Sequence, residues 1–397
     1  VFVIGFAMNG IRKIEVRQIL NSHVQFTNEF TIHLEDGRKG SGSSPSGETI
    51  SIYESVDRTG CVEPSSIVDE INTCRGPLSQ SEFDRLLESK TKSWGRNNCY
   101  ALSLALYNAL EGNKIQSSQA PTKSFNFPRL CLNILNGGKH AYTNPVLSDF
   151  HEYLLVPKKA SLRKNLEDHA LIQLAVWSGL RSKERVSVEG NIVHRFVTKD
   201  NRECIEFLLG ILTNLNLQDQ YDLMIDASGG DLLEDNAYKF KITDHSIKTR
   251  DRLLAYWVDL IDQYNVKFLE DPFHEKDFGN WRDLTSQQSN CRIIGDNLYS
   301  SNAERLKTGA QEGYTNGLVL KPDQAGTISS TIATVQTARS TNQIIIASHR
   351  SISTESTFLS RVICEYGIEY FKIGPLFSDY SSIIRFNELI RLGCTNE

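Results

Sequence analysis

Six apolar runs in the second half of the chain each end in a polar residue suited to chemistry. YDLMID ends at Asp226, VKFLED carries Glu270, RIIGD ends at Asp296 and GLVLK ends at Lys321; QIIIASHR carries His349 and Arg350, and YFKI carries Lys372. The steps between them are 44, 26, 25, 28 and 23 residues. A strand, a loop, a helix and a second loop take about that length. Repeated units of this kind close into a barrel whose chemistry gathers at the C-terminal ends of the strands. Three carboxylates, then a lysine, a His-Arg-Ser and a second lysine describe a hard-oxygen metal site facing a base and an anion clamp. That arrangement predicts an enzyme.

The rest of the chain must position those residues. Its 397 residues are enough for one barrel with an added domain, and 40% hydrophobic with 23% charged residues predicts a full core. A net charge of −5, with no basic run, predicts no nucleic-acid partner. Eight scattered cysteines without a CxxC pair are expected as reduced thiols in a cytoplasmic protein. VFVIGFA at the start is too short for a signal or a membrane span, no other stretch approaches one, and Met8 offers an alternative start.

Residues from about 10 to 60 alternate apolar and polar in KIEVRQIL and EFTIHLEDG, with a hairpin turn at Asp36-Gly37 and a mobile Gly/Ser loop in GSGSSPSGE. Residues 64–113 read as helical, ending in NNCYALSLALYNALEG. The linker SSQAPTKSFNFP closes a first α+β domain at residue 127. LCLNILNGG and EYLLVP then read as strands and KNLEDHALIQLAVWSGL as an amphipathic helix, ahead of the βα rhythm. The expected fold is a (β/α)8-type TIM barrel over residues 128–397, capped by the smaller α+β domain of residues 1–127.

NGGKHA, LEDPF, GDNLYSSN, LVLKPDQAGT, ASHRSISTESTF and FKIGP resemble the motifs of enolase, as do PSGETISIYE and WGRNNCYALSLALYNAL nearer the start. The match keeps the family's order from about residue 11 to 392. The resemblance implies the enolase kind of barrel and reversible dehydration of 2-phosphoglycerate to phosphoenolpyruvate in glycolysis, with two Mg²⁺ ions. It makes Asp226, Glu270 and Asp296 ligands of the first metal and Lys321 the base that takes the C2 proton. Cations nearby are expected to hold the pKa of that lysine down, and this superfamily is the standing example of such a base assisted by magnesium.

Glu189 in SVEGN resembles the general acid. Asp149 in SDF stands where the family has a glutamate that assists this acid; being one methylene shorter, it is expected to sit back by roughly 1 Å, which can cost on the order of 10²-fold in rate. His349 belongs to the catalytic set. Arg350, through its planar fork, and Ser351 are expected to bind phosphate, Lys372 to face the substrate carboxylate, and His140 to close over the substrate. Thr49 keeps a hydroxyl where a family serine helps bind the second magnesium, while Glu48, Ile50 and Ser51 replace Ala, Thr and Gly; loss of the glycine predicts a stiffer lid. Arg17 with Asp379 and Glu29 with Arg391 match charged pairs that join two subunits in the family, which predicts a homodimer. The altered lid and acid side leave two alternatives open: a relative acting on another phosphorylated or phosphonate three-carbon acid, and an enolase-like binding or structural protein with little turnover.

Overall fold

The computed structural model describes residues 10–47, 50–54, 62–73, 79–116, 126–138, 144–181, 184–188, 191–376 and 379–394. The first of these form a three-stranded antiparallel sheet. Ile11–Leu20 pairs with Phe26–Leu34, and Lys39–Ser43 joins the far side of the second strand. Alternation puts Ile14, Phe30, Ile32 and Leu34 in a core with Ile67, Phe83, Leu87 and Trp94 from helices Pro64–Thr73 and Gln80–Trp94. Gly37, at φ +88°, makes the expected hairpin turn.

The first part of GSGSSPSGE is not a mobile loop but belongs to the third strand. Gly40 and Gly42 lie so close to helix Arg96–Gln116 that a Cβ on either would run into the backbone of Ala109 or Ala101. Glycine here permits close packing rather than motion.

The second sheet closes on itself. Arg129–Leu130 pairs with Tyr370–Lys372, and Leu132–Asn136, the next stretch of the same chain, pairs with Glu152–Pro157 at the other end of the strand order. With that shared stretch counted once, the barrel has eight strands. Among the described residues it departs from a strict βα repeat at its start: Glu152–Pro157 runs antiparallel to both neighbours, and two helices, Leu162–Arg181 and Arg202–Asn214, come before the next barrel strand. Among the described residues no helix lies between the first two barrel strands, so the chain turns straight back. Every other pair in the barrel is parallel.

Side chains alternate across the barrel wall. Leu154, Val156, Met224, Phe268, Ile294, Val319 and Ile346 fill the interior. Leu155, Leu223, Leu269, Ile293, Leu318 and Leu320 face the surrounding helices. The filled interior leaves polar groups room at the strand ends.

Cys364 and Cys394, both buried, bring their sulfurs close together between helix Phe358–Tyr366 and the turn that follows helix Tyr380–Arg391, and Cys99, Cys131, Cys204 and Cys291 are free and buried. Arg17 and Glu29 are cross-strand neighbours and pair with each other at 2.6 Å, while Asp379 caps helix Tyr380–Arg391 and Arg391 lies 3.5 Å from Glu388. No helix of the described residues is long and apolar enough to cross a membrane.

Candidate active site

Register places the carboxylates. Asn136, Glu152, Asp226 and Glu270 stand opposite one another on four successive strands, one rung of the barrel at its C-terminal mouth. Asp296 follows the next strand, Arg292–Gly295. Its turn is held by Asp271, whose carboxylate accepts the N–H groups of Asp296 at 2.9 Å and Asn297 at 2.7 Å. Asp226, Glu270, Asp296, Lys321 and Lys372 are thus gathered where the sequence places them.

The two lysines organise the cluster. The Lys372 ammonium lies 2.8 Å from Glu152, 3.2 Å from Asp226 and 2.8 Å from Glu270. Burial opposes its charge, but Glu152, Glu270 and Asp226 outweigh that and raise its pKa well above the usual lysine value. Lys321 pairs with Asp296. Burial pulls its pKa down and Asp296 raises it; with Arg350 and Lys372 lowering and Glu270 raising, the result lies above the usual value. The expected depression of this base therefore does not come from the protein's own side chains. Burial, and then Asp226, push the Glu270 carboxyl well up, against the pull of Lys372.

Four carboxylates against two ammoniums make a hard-oxygen set with surplus negative charge, and buried Oδ1 of Asp296 has no hydrogen-bond partner among the described residues. The chemistry of this set fits a divalent cation such as Mg²⁺. The carboxylates close on the lysine nitrogens rather than on a common centre, and no group of three or more His, Cys, Asp or Glu stands at metal-holding spacing among the described residues.

Asp149 is not part of this cluster. Its carboxylate accepts hydrogen bonds from Ile242 N at 2.8 Å, Thr243 N at 3.3 Å, Thr243 Oγ1 at 2.5 Å and Asn201 Nδ2 at 3.2 Å. Those bonds tie a loop beside the barrel wall to its neighbours. The strand that delivers a carboxylate to the mouth begins three residues later, at Glu152. The sequence reading missed Glu152, although EYLLVP was recognised as a strand: its first residue ends up at the mouth because this strand runs antiparallel.

Arg350 is 4% exposed and is gripped on both sides. One terminal nitrogen lies 3.0 Å from Oε2 of Glu54, the other 3.0 Å from Oδ2 of Asp323. Glu54 comes from the small domain, and its other oxygen accepts from Gln324 Nε2 at 2.9 Å. Burial raises the Glu54 pKa, but Arg350 and Lys321 bring it below the usual value. Asp323 goes the other way: burial pushes it up to about 6, with Arg350 pulling it down and Glu54 pushing it up. Neither carboxylate was expected, because each belongs to a motif read for other residues. Beside this trio lies a cavity of about 430 Å³ whose lining includes Ser46, Gly47, Arg96 and Asn97.

His349 is held through the Lys372 carbonyl, which accepts from its Nδ1 at 3.0 Å; burial, reinforced by Arg385, keeps the ring well below the usual histidine pKa and so neutral. Ser351 lies in the same loop, its carbonyl accepting from Ser22 Oγ. Ser51, in place of a lid glycine, is buried and bonded to Ser300 across the domain boundary. Glu48, Thr49, His140 and Glu189 lie outside the described residues.

A closed barrel with an α+β cap, carrying carboxylates and lysines at its strand ends, defines the class of capped TIM-barrel proteins. A family model described as "Enolase, C-terminal TIM barrel domain" matches residues 124–395. The chain belongs to the enolase family, and with it to the enolase-type lyases. Similar curated proteins include the enolase of Natranaerobius thermophilus, 27% identical over 415 residues that cover 97% of this chain and 95% of that protein. The enolase of Saccharolobus solfataricus is 28% identical over 411 residues, covering 96% and 95%.

Proposed function

We propose that this chain is a Mg²⁺-dependent enolase that reversibly dehydrates 2-phosphoglycerate to phosphoenolpyruvate. The observation that carries this reading is the pairing of two buried lysines with strand-end carboxylates: Lys321 on Asp296, and Lys372 on Glu152, Asp226 and Glu270. Lys321 takes the C2 proton. Glu189 returns a proton to the departing C3 hydroxyl, so that water leaves and the C2–C3 double bond forms. Lys372 faces the substrate carboxylate, neutral His349 shapes the pocket beside it, and Arg350 with Ser351 receives the phosphate. Glu152, rather than Asp149, is the carboxylate that assists the acid side.

Asp226, Glu270 and Asp296 would hold Mg²⁺. When bound, the cation supplies positive charge that stabilises the charge developing on the substrate carboxylate and offsets the hold of Asp296 on Lys321. Thr49 is assigned to the second ion and His140 to closure over the substrate.

In the same proposal residues 1–127 cap a catalytic barrel of residues 128–397, and the protein works in the cytoplasm, in glycolysis, as a homodimer. Support for pairing comes from Val24 and Phe26, 78% and 71% exposed at the tip of the first hairpin. One observation favours a second reading, a relative acting on another phosphorylated or phosphonate three-carbon acid: each terminal nitrogen of Arg350 already lies 3.0 Å from a carboxylate.

The test is absorbance at 240 nm with purified protein, 2-phosphoglycerate and Mg²⁺, beside a metal-free control. Metal-dependent product supports the first reading. Proton exchange at C2 without product moves the assignment to the second.

A further inference from the structure

We propose that Gln324 is a positioning residue for the reaction: it ties the backbone of Lys321 to the docked small domain and so lets that domain set where the base stands. The inference rests on the reading that Lys321 is the base.

The backbone of Lys321 is held on both sides. Its N–H donates to Oγ of Ser301 at 2.8 Å, and its carbonyl accepts from the Gln324 N–H at 3.0 Å. Gln324 lies in the short helix Pro322–Ala325 and is 2% exposed. Its side chain turns back onto the same serine. Oε1 accepts from Ser301 Oγ at 3.1 Å, closer than the Val319 carbonyl that competes for this hydroxyl at 3.4 Å. Lys321, Ser301 and Gln324 thus close a ring of hydrogen bonds around the backbone of the base.

The ring reaches into the small domain at two points. Gln324 Nε2 donates to Oε1 of Glu54 at 2.9 Å, and the Gln324 carbonyl accepts from the guanidinium of Arg96, which opens helix Arg96–Gln116. The turn that carries Ser301 is touched as well, through the bond between Ser51 and Ser300. Ser300 and Ser301 are fully buried with φ of +41° and +50°. Residues with a Cβ keep such a conformation only where the surroundings impose it.

The chemistry of the side chain matches both neighbours. The Glu54 carboxylate only accepts, so the group facing it must donate. The Ser301 hydroxyl already accepts from Lys321, so the group facing it must accept. An amide of this length offers both. A glutamate in its place would set two buried carboxylates face to face, and an apolar side chain would leave both neighbours unanswered. A reacting group displaced by about 1 Å can lose on the order of 10²-fold in rate.

The experiment compares the full wild-type chain with Gln324→Glu and with the exchanged pair, Glu54→Gln together with Gln324→Glu. In the exchanged pair the amide sits on the small domain and donates to a carboxylate on the barrel, which still accepts from Ser301. Two quantities are read: kcat and KM for 2-phosphoglycerate with Mg²⁺, and hydrogen exchange of the Lys321 backbone amide by NMR. We expect Gln324→Glu to lower kcat by about 10²-fold with little change in KM. The Lys321 amide should lose protection while strand Gly317–Leu320 keeps its own. The exchanged pair should recover about tenfold or more of the lost kcat, together with the amide protection.

A side chain that merely joins the two domains would lower the melting temperature and leave kcat of the folded chain at wild type, and that result overturns the inference. An exchanged pair no faster than Gln324→Glu also overturns it. If Gln324→Glu does not fold, Ser301→Ala opens the same ring at another member and must give the same loss in kcat; a wild-type kcat there overturns it too. Amide exchange needs no turnover. A wild type that leaves 2-phosphoglycerate untouched therefore overturns the functional reading, while the protection of the Lys321 amide still decides whether Gln324 holds that backbone to the small domain.

Discussion

The ammonium of Lys372 lies 2.8 Å from Oε2 of Glu152, although the two residues come from strands that run in opposite directions. The contact ties the one antiparallel strand of the barrel to the strand-end cluster. It also makes Glu152 part of the charge balance around Lys372, so its removal should be felt at the reacting centre.

Glu152→Gln keeps the shape and removes the charge. Dehydration of 2-phosphoglycerate is expected to fall by about 10²-fold or more, with circular dichroism and melting temperature close to wild type. Steady-state kinetics on the folded variant provide the check. Full activity would return the assisting role to another residue.

Asp149 should behave differently. Its carboxylate accepts four hydrogen bonds from Asn201, Ile242 and Thr243, all in buried or half-buried surroundings. Asp149→Ala leaves those donors without their acceptor and is expected to cost about 2–4 kcal/mol in denaturant unfolding. Asp149→Glu adds a methylene to the same network and should also destabilise rather than quicken the reaction. A gain in rate from Asp149→Glu would place this residue back at the chemistry.

Lys321→Ala removes the assigned base. Exchange of the C2 proton of the substrate with solvent deuterium, followed by NMR, should fall by about 10²–10⁴-fold. Mg²⁺ binding, measured by calorimetry on the same sample, should stay near wild type. Exchange at the wild-type rate would remove lysine from the base role.

Metal binding has its own signature. A cation that binds the folded chain at Asp226, Glu270 and Asp296 stabilises it by about 2.7 kcal/mol at a free concentration a hundred times its Kd. Adding Mg²⁺ should therefore raise the melting temperature, and EDTA should reverse the rise. The triple substitution of these three residues by Asn, Gln and Asn should abolish the metal-dependent shift.

His169 predicts acid sensitivity far from the site. It is buried on helix Leu162–Arg181, beside Gln173, and burial lowers its pKa from 6.5 to about 4. The unfolded chain takes up a proton as pH falls through about 6.5, while the folded chain resists until about 4. The contribution is thus fully present above pH 6.5 and is lost on the way down to 4, to an extent of about 3 kcal/mol. His169→Gln should flatten the pH dependence of unfolding in that window, and an unchanged slope would assign it to other groups.

Much of the site was legible in the sequence because parallel barrel strands impose one rule. Each is a short apolar run whose last polar residue arrives at the same mouth, so Asp226, Glu270, Asp296, Lys321, His349, Arg350 and Lys372 could be read as a group from their spacing alone. That rule holds only while the strands are parallel. Glu152 begins its strand instead of ending it, and only the antiparallel register, Glu152 opposite Asp226, brings it to the mouth and leaves Asp149 outside. The use of Gly40 and Gly42 for close packing likewise depends on which surfaces meet. The grip of Glu54 and Asp323 on Arg350 is the clearest case. It joins two domains across 296 residues of chain, and no local pattern encodes a contact that exists only once the cap and barrel have docked.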